Sequence, residues 1–128
     1  MSINRKRKQG VCSYMIRTMA ITYNQTVEID LPLVKLNNPE IVWYWVDFVA
    51  PTEEEILLLD THFHFHPLAI EDCTHFLQRP KMDYYEGYHF FVLHAMNQKT
   101  LEPEEVDMFV GKDYIVNTYY THFGSGVN

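Results

Sequence analysis

Residues 41–70 read IVWYWVDFVAPTEEEILLLDTHFHFHPLAI. In the first nine, Ile41, Trp43, Trp45, Asp47 and Val49 alternate with Val42, Tyr44, Val46 and Phe48. Both sets are largely apolar, the pattern of a central strand covered on both faces. A helix start follows at once. Thr52 is a natural N-cap, Glu55 completes a capping box, and Glu53 and Glu54 set negative charge against the positive end of the helix dipole. Ile56, Leu59 and Phe63 then form a buried stripe, which predicts a helix over 52–64. Pro67, at a first helical position where a missing N–H is harmless, opens a second helix over 67–77 with Ile70, Cys73 and Leu77 buried. Pro80 ends it.

Upstream, residues 15–23 alternate as a strand, Asn24-Gln25 offers a turn, and 27–31 return as a second strand. Downstream, residues 88–96 (YHFFVLHAM) are apolar on both faces, and strands at 106–110 and 114–119 are joined by a tight link at Gly111-Lys112-Asp113. The expected fold is α/β, a mixed β-sheet with a helix pair on one face. That layout leaves a mismatch: strands 41–49 and 88–96 call for cover on both faces, and one pair of helices covers one. Either a second chain covers the other face, or later helices of a longer parent protein do, and a truncated parent is the simpler account.

The 128 residues are enough for one domain, and 47% hydrophobic with 21% charged residues is a folding composition. Residues 1–14 are expected to form a disordered basic leader, 15–120 the domain and 121–128 a glycine-containing tail. The leader holds Arg5, Lys6, Arg7 and Lys8, so the 118 residues after position 10 carry a formal balance of −11. Such a body repels phosphate backbones and attracts cations, which argues against nucleic acid as a partner. No run approaches the roughly 18 apolar residues of a membrane span. Cys12 and Cys73, 61 positions apart, make neither a disulfide framework nor a metal knuckle, and no apolar signal segment follows the leader. A soluble fragment in a reducing compartment is expected.

Catalytic patterns are lacking. Cys73 lies on the apolar stripe of its helix as a small core residue, no GxSxG elbow or glycine-rich phosphate loop occurs, and Glu104-Glu105 after Pro103 reads as a strand entry. The chain is expected not to be an enzyme. His62, His64 and His66, in HFHFHP, would align three imidazoles on a strand, a set suited to Zn²⁺, but a helix end at His62 and a turn before Pro67 break that alignment. Arg79 is a candidate to pair with Glu71 or Asp83 and pin the junction after the second helix. Glu71 and Asp72 are adjacent helical acids pointing about 100° apart. They form either a solvated polar face or two ligands of a weakly held, hydrated Mg²⁺ or Ca²⁺ that needs further donors from another helix or subunit.

His66-Pro67-Leu68 with Glu71-Asp72, Gln78-Arg79-Pro80-Lys81 and Phe109-Val110-Gly111-Lys112 occur in order within residues 15–116. This run resembles the N-terminal cytoplasmic domain of the CorA family of magnesium (cobalt/nickel) transporters. The resemblance implies pentamers with a cytoplasmic funnel, a long stalk helix and a pair of transmembrane helices bearing a Gly-Met-Asn motif. It also implies a Mg²⁺-sensing role, with intracellular Mg²⁺ bound between neighbouring cytoplasmic domains holding the channel closed. Glu71 and Asp72 match the regulatory acids, whose partner carboxylates come chiefly from an adjacent stalk. The stalk, the transmembrane pair and Gly-Met-Asn lie outside these 128 residues, so this chain alone is expected not to conduct ions and to sit, in its parent, at the cytoplasmic face of the membrane. A stand-alone interaction module that dimerises or modulates full-length channels is the alternative expectation, and a zinc-binding protein built on HFHFHP a third.

Overall fold

The structure, a computed structural model, describes residues 15–75 and 79–120. The leader, Cys12, the tail and Leu77 lie outside the described residues; the second helix, expected over 67–77, ends at Asp72 with Cys73 as its C-cap. Seven strands form one mixed sheet: β1 (Met15–Thr22), β2 (Val27–Ile29), β3 (Ile41–Val49), β4 (Lys81–Tyr85), β5 (Tyr88–Met96), β6 (Pro103–Gly111) and β7 (Tyr114–Tyr119). Their order is β2-β1-β3-β7-β6-β5-β4. All neighbours are antiparallel except β3 and β7, which run parallel with Val46 opposite Val116 and Phe48 opposite Thr118.

A parallel pair needs a crossover, and here it carries α1 (Glu53–Ile56), α2 (Leu58–Thr61), α3 (Pro67–Asp72) and β4 to β6. The chain leaves the middle of the sheet at β3, passes over one face as helices and re-enters at the far edge as β4. The cap expected at Thr52 is formed: Glu55 N donates to Thr52 Oγ1 at 3.1 Å and Thr52 N to Glu55 Oε1 at 2.9 Å. The single helix expected over 52–64 is instead split at Leu57 into two short turns, and after Thr61 the chain widens out of α-helical geometry. Phe63 N reaches Leu58 O, Phe65 N reaches Leu59 O, and His64 takes a left-handed backbone (φ 61°).

The covered face holds the core. Ile56, Leu59, Phe65, Ala69 and Cys73 from the helical segment pack with Val46, Phe48, Phe90, Val92, Phe109 and Val116 of the sheet. Phe65 is the central piece, its ring stacked on Phe109 with centroids 3.9 Å apart and tilted against Tyr88 at 5.0 Å. On the opposite face no helix lies among the described residues, and Trp45, Met82, Tyr84 and Leu93 are exposed there. Among the described residues, the face expected to be bare is uncovered. The second half of β5, Leu93 to Met96, is exposed, so only its Phe90 and Val92 have the burial expected along the whole strand.

β4 was not expected as a strand. Its alternation, KMDYY, is more polar than aromatic, but Glu86-Gly87 between Tyr84-Tyr85 and Tyr88 is a hairpin signal, and Gly87 takes the φ of 93° that the reversal needs. At the other tight link, a Cβ on Gly111 would collide with the ring of Tyr114.

Candidate metal centre

Because the crossover ends at the far edge, α3 lies against β4, and this places Glu71 and Asp72. Pro67 occupies the first helical position and His66 caps the helix, its Nδ1 accepting from Leu68 N at 3.0 Å while its own N–H donates to Tyr88 Oη at 2.8 Å. Glu71 and Asp72 therefore fall on the last turn of α3, where the helix dipole is unfavourable to carboxylates. Glu71 is exposed and Asp72 half-buried. Glu71 O also accepts from Thr74 Oγ1 at 2.7 Å and lies 2.9 Å from His75 Nδ1, which fastens the chain after the helix.

Compensation comes from β4. Lys81 Nζ lies 2.8 Å from Asp72 Oδ2 and 3.1 Å from Asp83 Oδ2. The hydrogen bond to Asp72 is the chief cause raising the Lys81 pKa; desolvation opposes it and Asp83 adds to it. Lys81, and not Arg79, is thus the cation of this junction. Leu68, Glu71 and Asp72 from one side and Lys81, Asp83 and Tyr85 from the other line an open cleft of ≈ 440 Å³. The structure brings Glu71 and Asp72 to the same cleft and adds Asp83. Lys81 and Asp83 were missed as cleft residues because β4 was missed; their i, i+2 spacing puts them on one side of that strand.

Behind α3 lies a second group of acids that sequence reading did not single out. Asp107 and Glu105 on β6 are buried on the helix-covered face with Phe109. Burial, with Glu105 beside it and Asp72 nearby, pushes the Asp107 carboxyl up to about 9. Burial likewise pushes the Cys73 thiol up, with Asp107 adding to it, so Cys73 is a protonated core residue and not a thiolate. The signal for Asp107 was present in β6: Glu105, Asp107 and Phe109 alternate onto one face.

The three histidines of HFHFHP are separated by the turn. His62 lies edge-on to Phe63, and burial followed by the charge of His64 lowers its pKa. His64 is the left-handed residue and His66 the cap of α3. No group of three or more His, Cys, Asp or Glu side chains arranged to hold a metal is assembled among the described residues. Carboxylate oxygens are nevertheless the donor type that Mg²⁺ takes, commonly one or two of them with several waters retained. Glu71 and Asp72 present oxygens of that type to the cleft.

A family model described as CorA-like Mg²⁺ transporter protein matches residues 40–124. The chain is 49% identical over 113 residues to the "Putative metal ion transporter YfjQ" of Bacillus subtilis, covering 88% of this chain and 35% of that protein. It is 27% identical over 111 residues to the "Cobalt/magnesium transport protein CorA" of Thermotoga maritima, covering 83% of this chain and 30% of the relative. It thus spans about a third of the length of these relatives. Among solved structures, the complete CorA magnesium transporter of Methanocaldococcus jannaschii superposes with a TM-score of 0.63 at 10% identity, covering 84% of this chain and 32% of the other. The soluble domain of CorA from the same organism gives 0.56 at 10% identity, covering 84% and 40%. Among the described residues no helix is long and apolar enough to cross a membrane. The mixed seven-stranded sheet is the fold of the CorA soluble domain, and with the family model spanning about two thirds of its residues the chain belongs to the CorA-like Mg²⁺ transporter family.

Proposed function

We propose that this chain is the Mg²⁺-sensing, regulatory part of a CorA-type divalent cation (Mg²⁺, Co²⁺) transporter, without catalytic activity. Glu71 and Asp72 would supply carboxylate oxygens to a weakly held, hydrated Mg²⁺ that a neighbouring subunit completes. The observation that carries this reading is the position of the pair: both acids line an accessible cleft at the sheet edge, with a third carboxylate, Asp83, beside them. A ligand set open to solvent on one side leaves room for donors from another copy. Weak binding suits a sensor, since the ion must leave when its concentration falls. Bound at a subunit boundary, the ion would screen repulsion between acidic bodies, and its loss would free them to move. The parent would sit at the membrane with this domain on the cytoplasmic side.

The test is a MgCl₂ titration at constant ionic strength followed by ¹H–¹⁵N NMR, paired with sedimentation in Mg²⁺ and in EDTA. Millimolar-range shifts centred on Glu71 and Asp72, lost in Glu71→Gln/Asp72→Asn, are expected, with association strengthened by Mg²⁺. Tight binding unchanged in Asp72→Asn would contradict the proposal.

A second reading, an interaction module that pairs through its bare sheet face, is favoured by the exposed Trp45, Met82, Tyr84 and Leu93. Sedimentation at several concentrations without divalent ions separates the two. A stable, closed dimer under those conditions supports the module.

A further inference from the structure

We infer that Lys81 is a tethered counter-cation, held between Asp72 and Asp83, which a divalent ion entering the cleft must displace. This rests on the cation site proposed at Glu71 and Asp72 and concerns what regulates it. Carboxylates from two different elements, α3 and β4, converge on one ammonium at 2.8 and 3.1 Å. That is the place where a small cation meets both acids at once. The Lys81 side chain is 37% exposed, and an ammonium on a four-carbon stem can swing into water without breaking the core.

The two cations exclude each other. A unit charge about 5 Å from a doubly charged ion, under water-like screening, weakens binding of that ion by about tenfold. With the cleft free of divalent ions, Lys81 neutralises Asp72 and ties α3 to β4. When the ion arrives, Lys81 leaves and Asp83 becomes free to accept from the ion's hydration shell. Ion occupancy is thereby exchanged against the α3–β4 tie, and the lysine keeps affinity low.

The experiment is the same NMR titration with MgCl₂ on the whole 128-residue chain, comparing the wild type with Lys81→Met, Lys81→Arg and Lys81→Met/Asp72→Asn. Lys81→Met should bind Mg²⁺ about tenfold more tightly, Lys81→Arg should stay near the wild type, and the double variant should lose the gain. If the wild type responds through Asp72 but Lys81→Met binds no more tightly, the counter-cation role is wrong and the cation site stands. If neither the wild type nor Lys81→Met responds to Mg²⁺, the site itself is wrong and the inference falls with it. A second readout does not depend on a variant folding: the acetylation rate of Lys81, followed by mass spectrometry in the wild type, should rise as Mg²⁺ is added. A rate independent of Mg²⁺, in the range where the NMR signals shift, overturns the displacement.

Discussion

Trp45 Nε1 donates a 2.6 Å hydrogen bond to Asn117 Oδ1, and Asn117 Nδ2 donates onward to Asp47 Oδ1 at 2.7 Å. One amide thus joins two side chains of β3 to β7, on the sheet face that the helices do not cover. Parallel pairs are slightly less stable per residue than antiparallel ones, and this clamp sits on the parallel pair of the sheet. Asn117→Ala would leave the Trp45 donor and the half-buried Asp47 without it. The expected loss is about 1–3 kcal/mol in urea unfolding, with tryptophan emission shifted to the red. Unchanged stability and emission would show that water replaces the amide without cost.

The capping box at Thr52 gives a local prediction. Thr52→Ala removes the acceptor for Glu55 N, and an N-cap of this kind contributes about 1 kcal/mol. Thr52→Ser should recover most of that loss. Chemical denaturation of the three proteins checks it, and equal losses in the alanine and serine variants would point to the threonine methyl instead of the cap.

Phe65 is 4% exposed and stacked on Phe109. Phe65→Ala should lower stability by about 3–5 kcal/mol, because the ring fills the space between the helical crossover and the sheet. Phe65→Leu, which retains most of the volume, should lose clearly less. Thermal unfolding of both variants decides whether this ring is the keystone of the layer.

Asp107 predicts a pH dependence. In the folded chain its carboxyl is held protonated up to about 9, first by burial and then by Glu105, against an ordinary value of 3.8. Between those values the folded state binds more protons than the unfolded state. Its contribution is therefore fully present below about pH 4 and is lost as pH rises through about 9. Asp107→Asn, neutral at every pH, should stabilise the protein on the order of 2 kcal/mol at pH 8 relative to wild type, with the gain shrinking toward pH 4. Urea unfolding of both proteins from pH 4 to pH 9 measures it. Parallel profiles for the two proteins would contradict the protonated carboxyl.

Much of the fold was legible in local sequence. The alternation of IVWYWVDFV, the Thr52–Glu55 cap, Pro67 at a helix start and the link after Gly111 are all set by residues within a few positions of each other. Short-range sterics and hydrogen bonding decide such features. Even the bare face followed from counting apolar strand faces against helices. Where local reading erred, a long-range contact prevailed. The helix expected to run to residue 64 stops at Thr61, and the chain turns through His64 with Phe65 stacked on Phe109, more than 40 positions downstream.

Local sequence was enough to name the carboxylates this chain can offer a divalent cation, with Glu71 and Asp72 on a proline-started helix and an acidic body around them. That Lys81 and Asp83 face that helix, and that Asp107 lies buried beneath it, came from the folded chain. The reason is topological. A parallel pair forces the chain across the sheet before it re-enters, so the neighbours of Asp72 are chosen by where the crossover lands and not by spacing along the chain.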